Sequence, residues 1–300
     1  MNKNLRGALI LLLTAIIWGF AFAAQSLGME KIGPFTFQAS RMLLASLVLL
    51  PTALIFSKKR EKATGKKEPF LDKKTVLAGM ACGFFLFTAA SLQQIGIVYT
   101  SVGHAGFLTA LYLLIVPVLG IFMGKRVSVR IWFCILLALI GLYLLFMTGE
   151  GLSLSIGDVL AALCAFVFSL HIITVDKLTQ ELDGVKISFV QMTFAGLISL
   201  VCALIFEEPR IADIAASWFP VAYAGVLSCG VAYTLQIVGQ KYAEPSVASI
   251  VMSLESVFAA ISGVLLLSQI PTGFEIAGCI VMFSATVISQ LPEKKKEHQG

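Results

Sequence analysis

Charge is scarce in this chain. Soluble domains are about a quarter charged, whereas 13% of these 300 residues are Asp, Glu, Lys or Arg, 58% are hydrophobic and the mean hydropathy is +0.92. That composition excludes a water-soluble fold. Metal and thiol chemistry is equally poorly supplied. There are three histidines and six cysteines, and Cys82, Cys134, Cys164, Cys202, Cys229 and Cys279 each lie alone in a different apolar stretch without C-x-x-C spacing. They read as small apolar packing residues. No G-x-x-x-x-G-K-S/T, H-E-x-x-H or G-x-S-x-G string occurs, so neither a nucleotide-driven pump nor a hydrolase is encoded. No lysine stands inside an apolar stretch, which argues against phosphate as the cargo. No cofactor, no metal and no enzymatic activity are expected.

What the chain does contain is apolar length. About 20 residues at a 1.5 Å rise span a bilayer core, and ten stretches meet that requirement: Leu5 to Leu27, Phe35 to Phe56, Val76 to Tyr99, Ala105 to Met123, Ile131 to Thr148, Ile156 to Val175, Ile187 to Phe206, Trp218 to Gln240, Val247 to Leu267 and Phe274 to Leu291. The expected fold is an all-α membrane protein of ten transmembrane helices. The stretch up to Ala24 is too long for the core of a signal peptide and is expected to stay as the first helix. The pairs Gly79 with Gly83 and Gly120 with Gly124 are expected to let helices approach closely at internal seams.

The second half repeats the first. Leu77, Ala78 and Gly79 followed by Phe87 and Thr88 return as Tyr223, Ala224 and Gly225 followed by Tyr233 and Thr234. Tyr99, Ala105, Leu111 and Gly120 return as Tyr242, Ala248, Leu254 and Gly263, and Trp18 and Arg41 fall opposite Phe168 and Gln191. Five segments per copy force the two copies to lie in the membrane with opposite orientations, the construction of many secondary transporters. The expected division is a first repeat over 1–148, a second over 149–292 and a tail over 293–300.

Loop charge supports the inversion. Of the 22 basic residues all but Lys31, Arg41 and Arg210 fall at the ends or on alternate loops of one side, which puts both termini in the cytoplasm by the positive-inside rule. The run from Lys58 to Lys74 reads as a solvated linker. This distribution calls for a lipid bilayer, and not nucleic acid, as the chain's environment. A multi-pass protein of the cell (plasma) membrane, in a bacterium the inner membrane, is expected, as a monomer or a weak homodimer.

Several local strings resemble those of the EamA family within the drug/metabolite transporter superfamily. Trp18 and Gly19 resemble its W-G signature, Arg41 to Ala45 its arginine-led second helix, and Ala105 to Tyr112 with Val116 and Pro117 the fourth-helix pattern of one large branch. Leu254 and Glu255 followed by Phe258 to Ala260 resemble the L-E-P pattern of the ninth helix, with Ser256 in place of the proline. The acidic turns expected after the fourth and ninth helices are replaced by Gly124 to Arg126 and by Ser268 and Gln269. The resemblance implies a carrier of a small metabolite, amino acid-like or related, with export as the expected direction. An uncoupled facilitator is the alternative within transport. A lipid scramblase or an intramembrane enzyme would need a polar groove or a dense polar constellation that the sequence does not display.

Ionisable groups are costly in lipid and mark functional positions by default. Glu255 lies about 12 Å into its helix, near the midplane, opposite its repeat partner Tyr112. It is a candidate for substrate binding and for proton coupling, or for a neutral structural role. Arg41 lies about 9 Å below the outer face and is expected to contact cargo, or else to bond helix-end carbonyls or reach outward. His171 and His104 are candidates for proton relay or for structural roles. Trp18, Gln94, Tyr112, Tyr233, Gln236 and Gln240 complete the expected substrate-binding set, because metabolite sites combine apolar walls with a few polar groups. Phe20, Phe22, Phe84, Phe85 and Phe87 are expected in packing or facing lipid.

Overall fold

A computed structural model of the chain describes residues 3–65, 69–100, 102–146, 155–267 and 271–291, and among them every regular element is a helix. The His104 side chain and the tail over 293–300 lie outside the described residues. The first repeat contributes α1 (Lys3–Met29), α2 (Pro34–Thr64), α3 (Lys73–Tyr99), α4 (Val102–Ala110), α5 (Tyr112–Phe122) and α6 (Val129–Phe146). The second contributes α7 (Ile156–Thr179), α8 (Gly184–Phe206), the short α9 (Ile211–Ala216) and α10 (Trp218–Ala222), a π-helical stretch (Tyr223–Ala232), α11 (Tyr233–Gln240), α12 (Pro245–Met252), α13 (Glu255–Leu267) and α14 (Gly273–Gln290). Nine spans among the described residues are long and apolar enough to cross a membrane, and Val129–Leu145 is apolar but shorter. The protein is a multi-pass membrane protein, and side chains such as Leu47, Leu77, Phe84 and Leu204 are exposed around its outside.

Local chemistry sets the helix ends. Asp72 caps α3 by accepting from the Thr75 amide, Ser155 and Asp158 form a reciprocal capping box on α7, and Thr272 and Glu275 form another on α14. Pro34 opens α2, whose first amides are met by the second repeat: Glu207 accepts from Phe35 N and Thr36 N at 2.8 Å and from the Thr36 hydroxyl at 2.6 Å. At its other end α2 runs past the apolar region to Thr64 and stops at Gly65, which adopts a left-handed φ of 68°. The expected linker is therefore helical in its first part, because Lys, Arg, Glu and Ala are good helix formers and nothing breaks the run before Gly65.

In lipid there is no hydrophobic drive between helices, so close packing and interhelical bonds hold the bundle. α2 packs along α8, α3 along α7 and α8, α6 along α14, and α1 against α13 and the eighth span. A Cβ at Gly79 would meet the Val190 side chain at 2.5 Å and one at Gly83 the Gln191 carbonyl at 2.9 Å, so this pair forms the internal α3 to α8 seam. The Gly120 and Gly124 pair does not form a seam. Nothing lies within 4 Å of a Cβ at Gly124, whose φ of 78° serves the turn that ends α5.

Two spans are broken at equivalent places. The fourth changes from α4 to α5 at Leu111 and the ninth from α12 to α13 at Ser253 and Leu254. In the first, Leu111 N bonds Leu108 O and Ile115 N bonds Leu111 O; in the second, Leu254 N bonds Val251 O and Phe258 N bonds Leu254 O. These are the same bonds at repeat-equivalent residues. Each is a tightened turn inserted in the α ladder.

Candidate functional site

The residues that follow the two breaks meet each other. Tyr112 begins α5 and Glu255 begins α13, both are buried, and the Tyr112 hydroxyl donates to Glu255 Oε1 at 3.1 Å. An acidic group at this depth requires a partner, and the repeat symmetry supplies its own counterpart residue.

Beside that bond is a cavity of about 40 Å³ lined by Trp18, Gln25, Arg41, Tyr112, Tyr233 and Glu255, with Phe22, Gln93, Phe168, Ser228, Gln236 and Met252 among the remaining wall. The volume holds about three water molecules at roughly 10–15 Å³ each. Sites for small organic ligands are on the order of 300–1,000 Å³, so the cavity as it stands is too small to enclose one. Trp18 and Tyr233 pack with ring centroids 4.7 Å apart, forming an aromatic wall. Gln25 Oε1 accepts from Arg41 Nη1 and from Gln94 Nε2, both at 2.8 Å. Arg41 also sits over the Phe37 ring at 5.4 Å. Its hydrogen-bond partner is a side-chain amide facing the cavity, not a helix-end carbonyl or the outer surface, which corrects that expectation: Gln25 stands within reach and makes snorkelling unnecessary. Trp18 Nε1, Arg41 Nε and Gln236 Oε1 are buried without a hydrogen-bond partner.

Of the expected residues, Trp18, Arg41, Tyr112, Tyr233, Gln236 and Glu255 share this cavity. Gln94 stands one hydrogen bond behind it, through Gln25. His171 is set behind Tyr233, edge-on at 6.1 Å, with its Nε2 3.3 Å from Gln191 Oε1. Gln25, Gln93, Phe168 and Ser228 were not expected, and Phe22 lines the cavity instead of facing lipid. Gln25 lies seven residues after Trp18, on the same helix face, and Phe168 is the repeat counterpart of Trp18; both facts are legible in sequence. Ser228 is placed by the π-helical stretch, where Tyr233 N bonds the Ser228 carbonyl five residues earlier. Its sequence carries no signal for that geometry.

The EamA-like transporter family pattern matches residues 5–147 and again 155–290. The chain belongs to the EamA-like transporter family. An uncharacterized transporter of Archaeoglobus fulgidus is 27% identical to it over 290 residues, 96% of this chain and 87% of that protein. A crystal structure of another protein, 18% identical, shares the fold with a TM-score of 0.77 over 95% of this chain and 98% of its own. Family and relative place this EamA-like transporter among membrane transporters and not among enzymes.

A second cavity of this EamA-like transporter, about 740 Å³, opens at the end rich in basic residues. Lys125, Arg126, Arg130 and Lys241 line it together with Asp176, Glu244 and Gln240. Lys125 pairs with Asp176 of the other repeat at 2.7 Å. Lys241, in the turn after α11, donates to the Leu182 carbonyl; burial holds its ammonium below the usual lysine range, against the pull of Asp183. Gln240, expected beside the cargo, instead faces this vestibule and donates to the Ile172 carbonyl at 3.0 Å. Ile172, whose carbonyl accepts that bond, also lines the central cavity.

Proposed function

We propose that this EamA-like transporter is a ten-helix carrier of a small amino acid-like metabolite, built as inverted repeats over 1–148 and 149–292 with both termini in the cytoplasm. In this reading it sits in the plasma membrane, in a bacterium the inner membrane, as a monomer or weak dimer. It works by alternating access, in the direction of export, and couples to protons through Glu255. The observation that carries the reading is the bond between Tyr112 and Glu255 in the wall of the central cavity. Two repeat-equivalent residues at the breaks of two spans stand where both access states share one site. Coupling requires an ion to bind the two states unequally, and a carboxyl group on that boundary meets the requirement. His171 does not line the cavity, so coupling is assigned to Glu255 alone. The cation of Arg41, the carboxyl of Glu255 and the aromatic pair of Trp18 and Tyr233 offer complementary groups to a solute carrying charges of both signs on a small apolar body.

Uptake of a panel of labelled amino acids and related metabolites into proteoliposomes, with and without a pH gradient, tests this. A one-unit gradient supports roughly tenfold accumulation for one proton per cargo molecule. Movement of a panel member with accumulation that follows the gradient is the expected result. Movement that only equilibrates supports the uncoupled facilitator, and no movement of any compound contradicts the cargo class.

A further inference from the structure

Inversion gives every group on one side of the cavity a counterpart on the other. The relation that pairs Trp18 with Phe168 pairs Arg41 with Gln191, and the relation that pairs Phe87 with Tyr233 pairs Gln94 with Gln240. In the first repeat Arg41 and Gln94 both bond Gln25 of α1, forming a polar cluster in the wall of the cavity. In the second repeat Gln191 faces His171 of α7 at 3.3 Å, and Gln240 donates to the Ile172 carbonyl of the same helix. The second cluster is closed. His171 and Gln191 have no exposed surface and Gln240 has 1%.

This cluster holds more hydrogen-bonding capacity than it uses. With His171 Nε2 donating to Gln191 Oε1, the atoms left without a partner are His171 Nδ1, Gln191 Nε2 and Gln240 Oε1. Each buried unpaired polar atom costs about 1–3 kcal/mol, whereas apolar residues of similar volume would fill the same space at little cost. The position is informative as well. Tyr233, which packs edge-on against His171, and Ile172, whose carbonyl Gln240 bonds, both line the central cavity, and Gln240 lines the vestibule.

We infer that His171, Gln191 and Gln240 form a second cargo subsite, closed here and opened when the central cavity connects with the vestibule. Its donor and acceptors take an uncharged hydroxyl or carboxamide group of the cargo: His171 Nδ1 and Gln240 Oε1 accept, and Gln191 Nε2 donates. The Arg41 cluster holds a fixed cation and takes the anionic end. The two ends of the path thus differ in charge although they are related by the repeat, so this carrier prefers solutes with a charged end and a neutral polar end. The inference rests on the alternating-access reading given above and extends it to the chemistry of the cargo.

The test uses full-length protein with the six native cysteines replaced, shown to keep the parent's size-exclusion profile, carrying Gln191→Cys in proteoliposomes. A membrane-impermeant cationic methanethiosulfonate is applied from each side, with and without L-asparagine or L-glutamine as probes bearing a carboxamide. The expected result is labelling from the vestibule side only, slowed at least threefold by one of the two probes. Labelling from neither side, from the opposite side, or at a rate that neither probe changes overturns the assignment. A second variant, Gln191→Leu with His171→Leu, guards against a folding artefact. It should unfold at the same or a higher temperature and raise half-saturation roughly tenfold from the vestibule side, the equivalent of about 1.4 kcal/mol, without change from the other side. A change from both sides or from neither counts against the subsite. Thiol labelling does not require net uptake, so a failure of the cargo panel remains distinguishable from a failure of this inference.

Discussion

The Tyr112 hydroxyl and the Glu255 carboxyl illustrate how much a single interaction means in this protein. Interhelical hydrogen bonds in membranes average about 0.6 kcal/mol, and Glu255 lines a cavity with room for water to replace the lost donor, so Tyr112→Phe should lower the unfolding temperature only slightly, while it removes the donor that orients Glu255. Thermal unfolding together with transport of the panel member that moves should show stability nearly kept and transport reduced; a large loss of stability with normal transport would assign the bond a structural role. Arg41 and Arg6 form a second contrast. Arg6 is exposed and stacks on Tyr242 with its cation 4.9 Å from the ring, whereas Arg41 is buried and bonded to Gln25. Arg41→Ala should therefore impair folding or flux more than Arg6→Ala, read from expression level and initial rate. Much of this was legible in sequence, because charge in an apolar helix is rare enough to single out Arg41 and Glu255. The partners were not: Gln25 is one of several amides in the spans, and which one faces Arg41 depends on helix rotation, which a segment apolar on all sides does not reveal.

Helices in this chain end where their capping residues say they should and break where no such residue warns of it. Asp72 shows the first behaviour. Its carboxylate accepts from the amide and hydroxyl of Thr75 at 2.9 and 2.8 Å, and those bonds hold it below the usual value of 3.8. A group whose folded value is depressed contributes fully above its unfolded value and loses that contribution as pH falls through the folded one. Asp72→Ala should thus cost about 1 kcal/mol near neutrality, and thermal unfolding in detergent should show the gap between variant and parent closing below about pH 3.8. The breaks at Leu111 and Ser253 show the second behaviour. Neither site is Pro or Gly, and the shared bond pattern becomes visible only once the backbone is in place. The π-helical stretch is silent in the same way, since its counterpart in the first repeat lies within the regular helix α3. Close glycine contacts belong to this scale too. A Cβ at Gly141 would meet Met282 Cγ at 2.6 Å and the Gly278 carbonyl at 2.9 Å, so Gly141→Leu should force α6 from α14 and destabilise by at least about 1–3 kcal/mol. An unchanged unfolding temperature would show that this seam yields easily.

For the whole molecule, apolar length and repeat order already imply the two-repeat architecture, and an odd number of apolar segments per copy is the basis of the inversion proposed above. What the sequence leaves open is the state in which the repeats stand. The structure has a small central cavity and a wide basic vestibule, a difference between the two ends that the repeat pattern does not predict. The account's central claim is that Glu255 in the shared cavity turns a proton gradient into accumulation of cargo. Glu255→Gln keeps shape and hydrogen bonding but does not titrate, so the most direct measurement compares, on one reconstituted preparation of this variant, exchange of cargo for cargo with net accumulation driven by a pH gradient. The account predicts that exchange persists, with a weaker half-saturation because the charge facing the cargo's cation is lost, and that the roughly tenfold accumulation that a one-unit gradient sustains disappears. Undiminished gradient-driven accumulation in the variant would contradict it.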